Sequence, residues 1–196
     1  MISKLSLIFG SKTKAQEIIF LLNKVKKVVR QGFYESELVK VEKFCEQENI
    51  HLVKSKFKVL LADQEAYSNK GIRIEATDQR EGMYFVYLSL NVLSAWMASY
   101  HELNNNDYDL GILLGYPSCC VDFFCKRFSE NNPNLQLSPK NPYTNLSKRN
   151  QDCVFISHFP CNSNCKESIN LAKKYASIIA RIDSLRAIEM INFLKR

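Results

Sequence analysis

The spacing of apolar residues changes period twice along this 196-residue chain, and that double change constrains its fold more than any other feature. From Lys14 to Arg30 the apolar positions Ile18, Ile19, Leu22, Val25 and Val29 form a helical stripe with lysines opposite it. Ser36 to Glu48 repeats the pattern, with Leu38, Val41, Phe44 and Cys45 on one face. Between Leu52 and Val59 the period falls to two, with Lys54, Lys56 and Lys58 on a wet face. Gly71 to Thr77 alternates as well, and Met83 to Leu88 is rich in aromatic and branched residues. Turn residues in YSNKG (67–71) and DQREG (78–82) separate these three runs and predict an antiparallel meander.

After Leu90 the helical period returns. Leu90–Leu103 reads as a helix around Trp96, Asp107–Leu114 as a short one ended by Gly115, and Ser118–Phe128 as a third. Phe123, Phe124 and Phe128 read as core. Asn164, with Glu167 three residues on, has the form of a capping box for a last helix. Leu171, Tyr175, Ile178, Ile182, Leu185 and Ile188 carry it towards Leu194, on the order of 45 Å if unbroken. Strands in one block and helices in others predict an α+β fold: N-terminal helices, a small antiparallel sheet, then C-terminal helices with a long last helix. The length suits a single domain, 1–196, and the polar, proline-bearing stretch 130–150 is expected to be a long surface loop.

Residues Gly82 to Tyr100 carry no charge and approach the length of a membrane span. Ser89, Asn91, Ser94 and Ser99 interrupt them, so a buried strand running into a buried helix is the expectation, with no membrane. No export signal is read at the N-terminus, which predicts a cytoplasmic protein whose thiols stay reduced. The net charge of +7 permits RNA binding through a basic surface, although a lysine-rich solvated surface is the preferred reading, since no arginine-rich tract or aromatic-basic signature is present. The last helix is long enough to extend into a second copy as a homo-oligomer contact.

Seven cysteines then need explaining. Cys45 sits in a helical stripe and reads as core. Cys119, Cys120 and Cys125 fall in one stretch and Cys161 and Cys165 in another, each stretch opened by an aromatic–proline pair, Tyr116–Pro117 and Phe159–Pro160. Proline favours a helix start. Thiols at a helix N-terminus are expected to have lowered pKa values and more thiolate, the form that binds metal or attacks an electrophile. Neighbouring residues do not share a helical face, so Cys119 and Cys120 are expected to act together only if the first precedes regular helix.

Three readings stay open. One is a metal centre, zinc or an iron–sulfur cluster, on Cys119, Cys120, Cys161 and Cys165 with Cys125 or His158 as substitute. A second is thiol chemistry, with Cys120 as nucleophile, His158 as base and Asp122 as orienting carboxylate, in sulfur transfer or redox work on a small molecule or RNA. The third is structural: buried cysteines or a disulfide such as Cys119–Cys161, in a non-enzymatic module that binds nucleic acid or a partner. Gly115, Tyr116, Pro117, Cys119 and Cys120, with His158, Pro160, Cys161 and Cys165, resemble the paired signature of a mainly archaeal family catalogued as a domain of unknown function. The resemblance implies an intracellular protein in which both stretches belong to one site, and it implies no activity.

Overall fold

The computed structural model describes residues 1–61, 71–129, 131–135 and 141–194. Residues 67–70 of the first predicted turn, and residues 130 and 136–140 of the predicted surface loop, lie outside that set. The architecture is α+β, with helices on both sides of a four-stranded antiparallel sheet in the chain order. Two compact units account for it: Glu17–Gly115, and Met1–Gln16 together with Tyr116–Arg196.

The first of these is built on the sheet. Helix α1 (Ile2–Phe9) and the start of α2 (Lys12–Leu22) belong to the other unit, but α2 ends here. The helix expected to reach Arg30 stops at Leu22, because Lys24 takes the left-handed conformation (φ 58°). Lys24 N–H donates to the Leu21 carbonyl and Val25 N–H to that of Phe20, the paired bonds of a Schellman end with lysine where glycine is usual. The branched Val29 then opens strand β1 (Val29–Phe33), whose first two residues the apolar spacing had assigned to the helix.

Helix α3 (Glu35–Gln47) follows, with Leu38, Val41 and Cys45 buried as its stripe predicts. Strands β2 (His51–Leu61), β3 (Gly71–Glu75) and β4 (Met83–Ser89) complete the sheet in the order β1-β4-β2-β3. They do not form a meander. β2 and β3 pair, but β4 passes to the other edge of β2 and takes its place between β2 and β1. Lys58, expected on a wet face, is buried instead, and its ammonium donates to the carbonyls of Asp78 and Arg80. That holds the 78–80 turn against the end of β2 and lets the chain cross over.

Helix α4 (Val92–Leu103) starts at Asn91, whose side chain accepts from Ser94 N–H at 3.0 Å. It lays Ala95, Ala98, Ser99 and Glu102 inward. Glu102 accepts from Arg30 and from the Tyr87 hydroxyl (2.9 Å), so a buried charge is paired at the sheet. Burial, and next the Glu102 charge, hold the Tyr87 phenol well above its usual range. The outer face of α4 was expected to be buried and is not: Leu93, Trp96, Met97 and Tyr100 are exposed. Helix α5 (Asp107–Leu113) ends just before Gly115, which has φ 79° as expected of a residue following a helix.

The other unit contains α6 (Ser118–Arg127), a 3₁₀ turn at Arg149–Gln151, α7 (Lys166–Ile182) and α8 (Ser184–Leu194). Its buried residues include Ile2, Phe9, Val154, Phe155, Ile156, Tyr175, Ile179 and Met190. Asp152 caps α2 from a distance, accepting from Lys12 N–H (2.9 Å) and Thr13 N–H (3.2 Å). The expected single last helix breaks at Asp183, which leaves helical geometry (φ −151°) and accepts from Arg186 N–H at 3.2 Å, starting α8 anew. The break turns the apolar stripe out of register. Leu185 is 79% exposed, and Arg186, Ala187, Met190 and Leu194 take the buried face. Arg186 donates to the Asp152 carbonyl and to Gln16 Oε1 (3.1 Å), which satisfies its buried guanidinium. No helix among the described residues is long and apolar enough to cross a membrane.

Candidate metal centre

Two helix starts carry the site. Pro117 is the N-cap of α6 in an extended conformation (φ −57°, ψ 134°), so Ser118, Cys119 and Cys120 form its first turn. Cys120 and Val121 N–H close that turn on the Pro117 carbonyl at 2.8 and 3.0 Å. On the other side, Cys165 is itself the N-cap of α7; the cap lies one residue later than Asn164, the residue expected there. Asn164 N–H instead bonds Asn162 Oδ1 (2.9 Å), and Cys165 N–H bonds the Asn162 carbonyl (3.1 Å), a tight turn that doubles the chain back from Cys161. Thr144 fixes the turn by donating to the Ser163 carbonyl at 2.6 Å.

The four sulfurs meet. Cys119 and Cys120 Sγ are 3.8 Å apart, and each lies 3.7 Å from Cys165 Sγ. Cys161 joins them, its backbone N–H donating to Cys120 Sγ at 3.3 Å, and all four sulfurs lie within 4.8 Å of one another. Adjacent cysteines were expected to conflict on a regular helix. They do not: both lie in the first turn of α6, Cys119 already within the helix, and their sulfurs stand 3.8 Å apart. All seven cysteines are free thiols, so the Cys119–Cys161 disulfide is not formed.

Burial differs across the group: Cys120 and Cys165 are buried, Cys161 half-buried and Cys119 exposed. The expected lowering of thiol pKa at helix N-termini holds for one residue. Burial acts to raise Cys165, but hydrogen bonds from the Ser168 hydroxyl and backbone, and from Cys120 and Cys161, outweigh it and bring the thiol down to about 7. Burial pushes Cys119 up to about 11, helped by its hydrogen bond to Cys165, and raises Cys120 further.

The remaining candidates stand around this group. His158 is buried against the Tyr116 ring (centroids 5.0 Å), and its Nε2 lies 2.9 Å from Ser168 Oγ. Ser168 Oγ is in turn 3.2 Å from Cys120 Sγ, so His158 is one hydrogen bond removed from the sulfurs. Asp122 and Cys125 are exposed on α6 and outside the group of four. Phe123, Phe124 and Phe128 are half-buried rather than core, and Phe124 stacks between Phe128 (4.6 Å) and Phe159 (6.3 Å). Ser168 escaped the sequence reading. Its signal was its place three residues after Cys165, where an N-cap and N3 residue face each other.

Four thiolates within this radius suit a soft divalent cation, and the N-termini of α6 and α7 offset part of their negative charge. The family whose model matches this sequence, over residues 91–193, is described as "Protein of unknown function (DUF483)". The match begins at the N-cap of α4 and contains all four cysteines. No curated protein and no solved structure matches the chain.

Proposed function

The chain belongs to the DUF483 family of proteins of unknown function, and we propose that it is a zinc protein whose single ion is held by Cys119, Cys120, Cys161 and Cys165. One observation carries this reading: the three sulfur separations of 3.7, 3.7 and 3.8 Å. Sulfurs at tetrahedral corners, each about 2.3 Å from one ion, stand about 3.8 Å apart. An iron–sulfur cluster spreads its thiolates over several iron atoms, so its ligands are spaced more widely than those of one ion. The residues fit the ion in kind as well, being four soft sulfur donors.

An all-thiolate set is closed, with no position left for water or substrate, which favours a structural role over hydrolysis. The ion would tie the start of α6 to the start of α7 across 46 residues of sequence. Ser168 Oγ stands 3.2 Å from Cys120 Sγ and 2.9 Å from His158 Nε2, in place for the outer hydrogen bonding that orients metal ligands. Unbridged thiols at this spacing also suit a reducing compartment such as the cytoplasm.

Protein purified without oxygen tests the reading. Elemental analysis is expected to give one zinc per chain, and cobalt in its place is expected to show the tetrahedral thiolate spectrum. Cys161→Ser is expected to drop the zinc below stoichiometric, while Cys125→Ser keeps it. Metal-free protein with seven titratable thiols would overturn the assignment, and a coloured iron-bearing preparation would replace zinc with iron.

A further inference from the structure

We propose that the outer face of α4 is a two-fold interface between two copies of this chain. The exposed apolar residues of the helix are Val92, Leu93, Trp96, Met97, Tyr100 and Leu103, joined by Leu90 just before its N-cap, with Leu93 69%, Trp96 56%, Met97 52% and Tyr100 65% exposed. Apart from Val92, whose mirror position is His101, their spacing is symmetric about the point between Trp96 and Met97. Two α4 helices crossing antiparallel at that point set Trp96 against Met97, Leu93 against Tyr100 and Leu90 against Leu103, in both directions at once. A contact across a two-fold axis requires that reciprocity, and apolar residues at three- and four-residue spacing supply the ridge that packs into a facing groove.

Size and charge favour a second copy over other occupants. Together these residues leave roughly 700–800 Å² in contact with water, above the few hundred Å² of most monomer patches and comparable to the roughly 800 Å² each partner gives a standard interface. The segment from Glu81 to Cys125 contains no lysine or arginine. A helix lying on an anionic lipid surface needs basic residues along its polar face, and nucleic acid needs them as well. The cations that do reach α4, Arg30 and Arg73, are engaged with Glu102 on the inward side. An uncharged face meets its own copy without placing like charges together, although the chain as a whole carries +7. Glu102, anchored to Arg30 and Tyr87, keeps the helix fixed on its sheet, so little ordering accompanies docking.

Sedimentation of the full chain at micromolar concentration is expected to give twice the 22.7 kDa mass of one chain. Trp96→Glu and Leu93→Glu are expected to sediment as folded monomers by circular dichroism, and Leu185→Glu, at an exposed apolar site on α8, to stay dimeric. Because Trp96 is the only tryptophan, dilution of the wild-type protein offers a check free of substitutions: its emission is expected to shift to the red as the dimer dissociates. A wild-type chain that is monomeric at all concentrations, a folded Trp96→Glu dimer, or dissociation without a Trp96 shift would each overturn the interface. So would a monomer that instead floats with neutral or anionic phospholipid vesicles.

Discussion

Single residues decide more of this protein than their number suggests, and Ser168 is the clearest case. Its hydroxyl lies between His158 Nε2 and Cys120 Sγ, at 2.9 and 3.2 Å. Replacing it with alanine leaves all four sulfurs in place and removes only the donor that orients one of them. Ser168→Ala is therefore expected to weaken zinc binding about tenfold, read by competition with a chromophoric chelator. Asp152 acts through its charge. Burial would raise its carboxyl, but hydrogen bonds from the Lys12 and Thr13 amides dominate and hold it below the usual carboxylate range. A folded value below the unfolded one, about 3.9, stabilises the fold above that pH, and the contribution fades as pH falls through the folded value. Asp152→Asn tolerates the left-handed backbone (φ 59°) but loses the charge and one of the two oxygens that accept from the Lys12 and Thr13 amides. Its urea midpoint is expected to lie below the wild-type one at pH 7, with the gap closing in acid.

At the scale of elements, helix ends set the architecture. α2 stops at Lys24, a left-handed residue with a Cβ, where glycine adopts the same backbone without steric cost. Lys24→Gly is expected to stabilise the protein by about 0.5–1 kcal/mol, since the left-handed position costs other residues about 1–2 kcal/mol and the greater chain entropy glycine loses on folding offsets part of it; thermal unfolding measures it. The α7–α8 break depends on Asp183 in the opposite sense. Asp183→Ala removes the acceptor for Arg186 N–H and is expected to cost about 1 kcal/mol. The α6 and α7 starts differ from both of these. Each is placed by a rigid local device, Pro117 in one and the Asn162 turn in the other, so the cysteines arrive at fixed positions.

Over the whole molecule, the proposed ion and the sheet belong to different compact units, Met1–Gln16 with Tyr116–Arg196 and Glu17–Gly115. Removing zinc is therefore expected to act unevenly. Amide exchange after chelation should accelerate in α6 and α7 and stay slow in β1, β2 and β4, because metal binding stabilises the segment that supplies its ligands. Uniform acceleration across both units would show that they unfold together. The same division explains what could be read from the residues alone. The α+β class, the buried stripe of α3, the end of α5 at Gly115 and the start of α6 after Pro117 were all legible, because each is set by period or by a residue with a restricted backbone. Grouping the cysteines was legible too, as a set of soft donors near two helix starts. The strand at Val29–Phe33, the placement of β4 between β1 and β2, the break at Asp183 and the exposed face of α4 were not. Each results from competition among conformations that local spacing permits equally, and only burial against distant partners selects one. The sequence by itself determined which atoms could bind a cation. The tertiary fold decided that three sulfurs separated by up to 46 positions stand 3.7–3.8 Å apart, with the Cys161 sulfur within 4.8 Å of them and Cys125 outside the group, since distance in space depends on how the helices pack and not on their order in the chain.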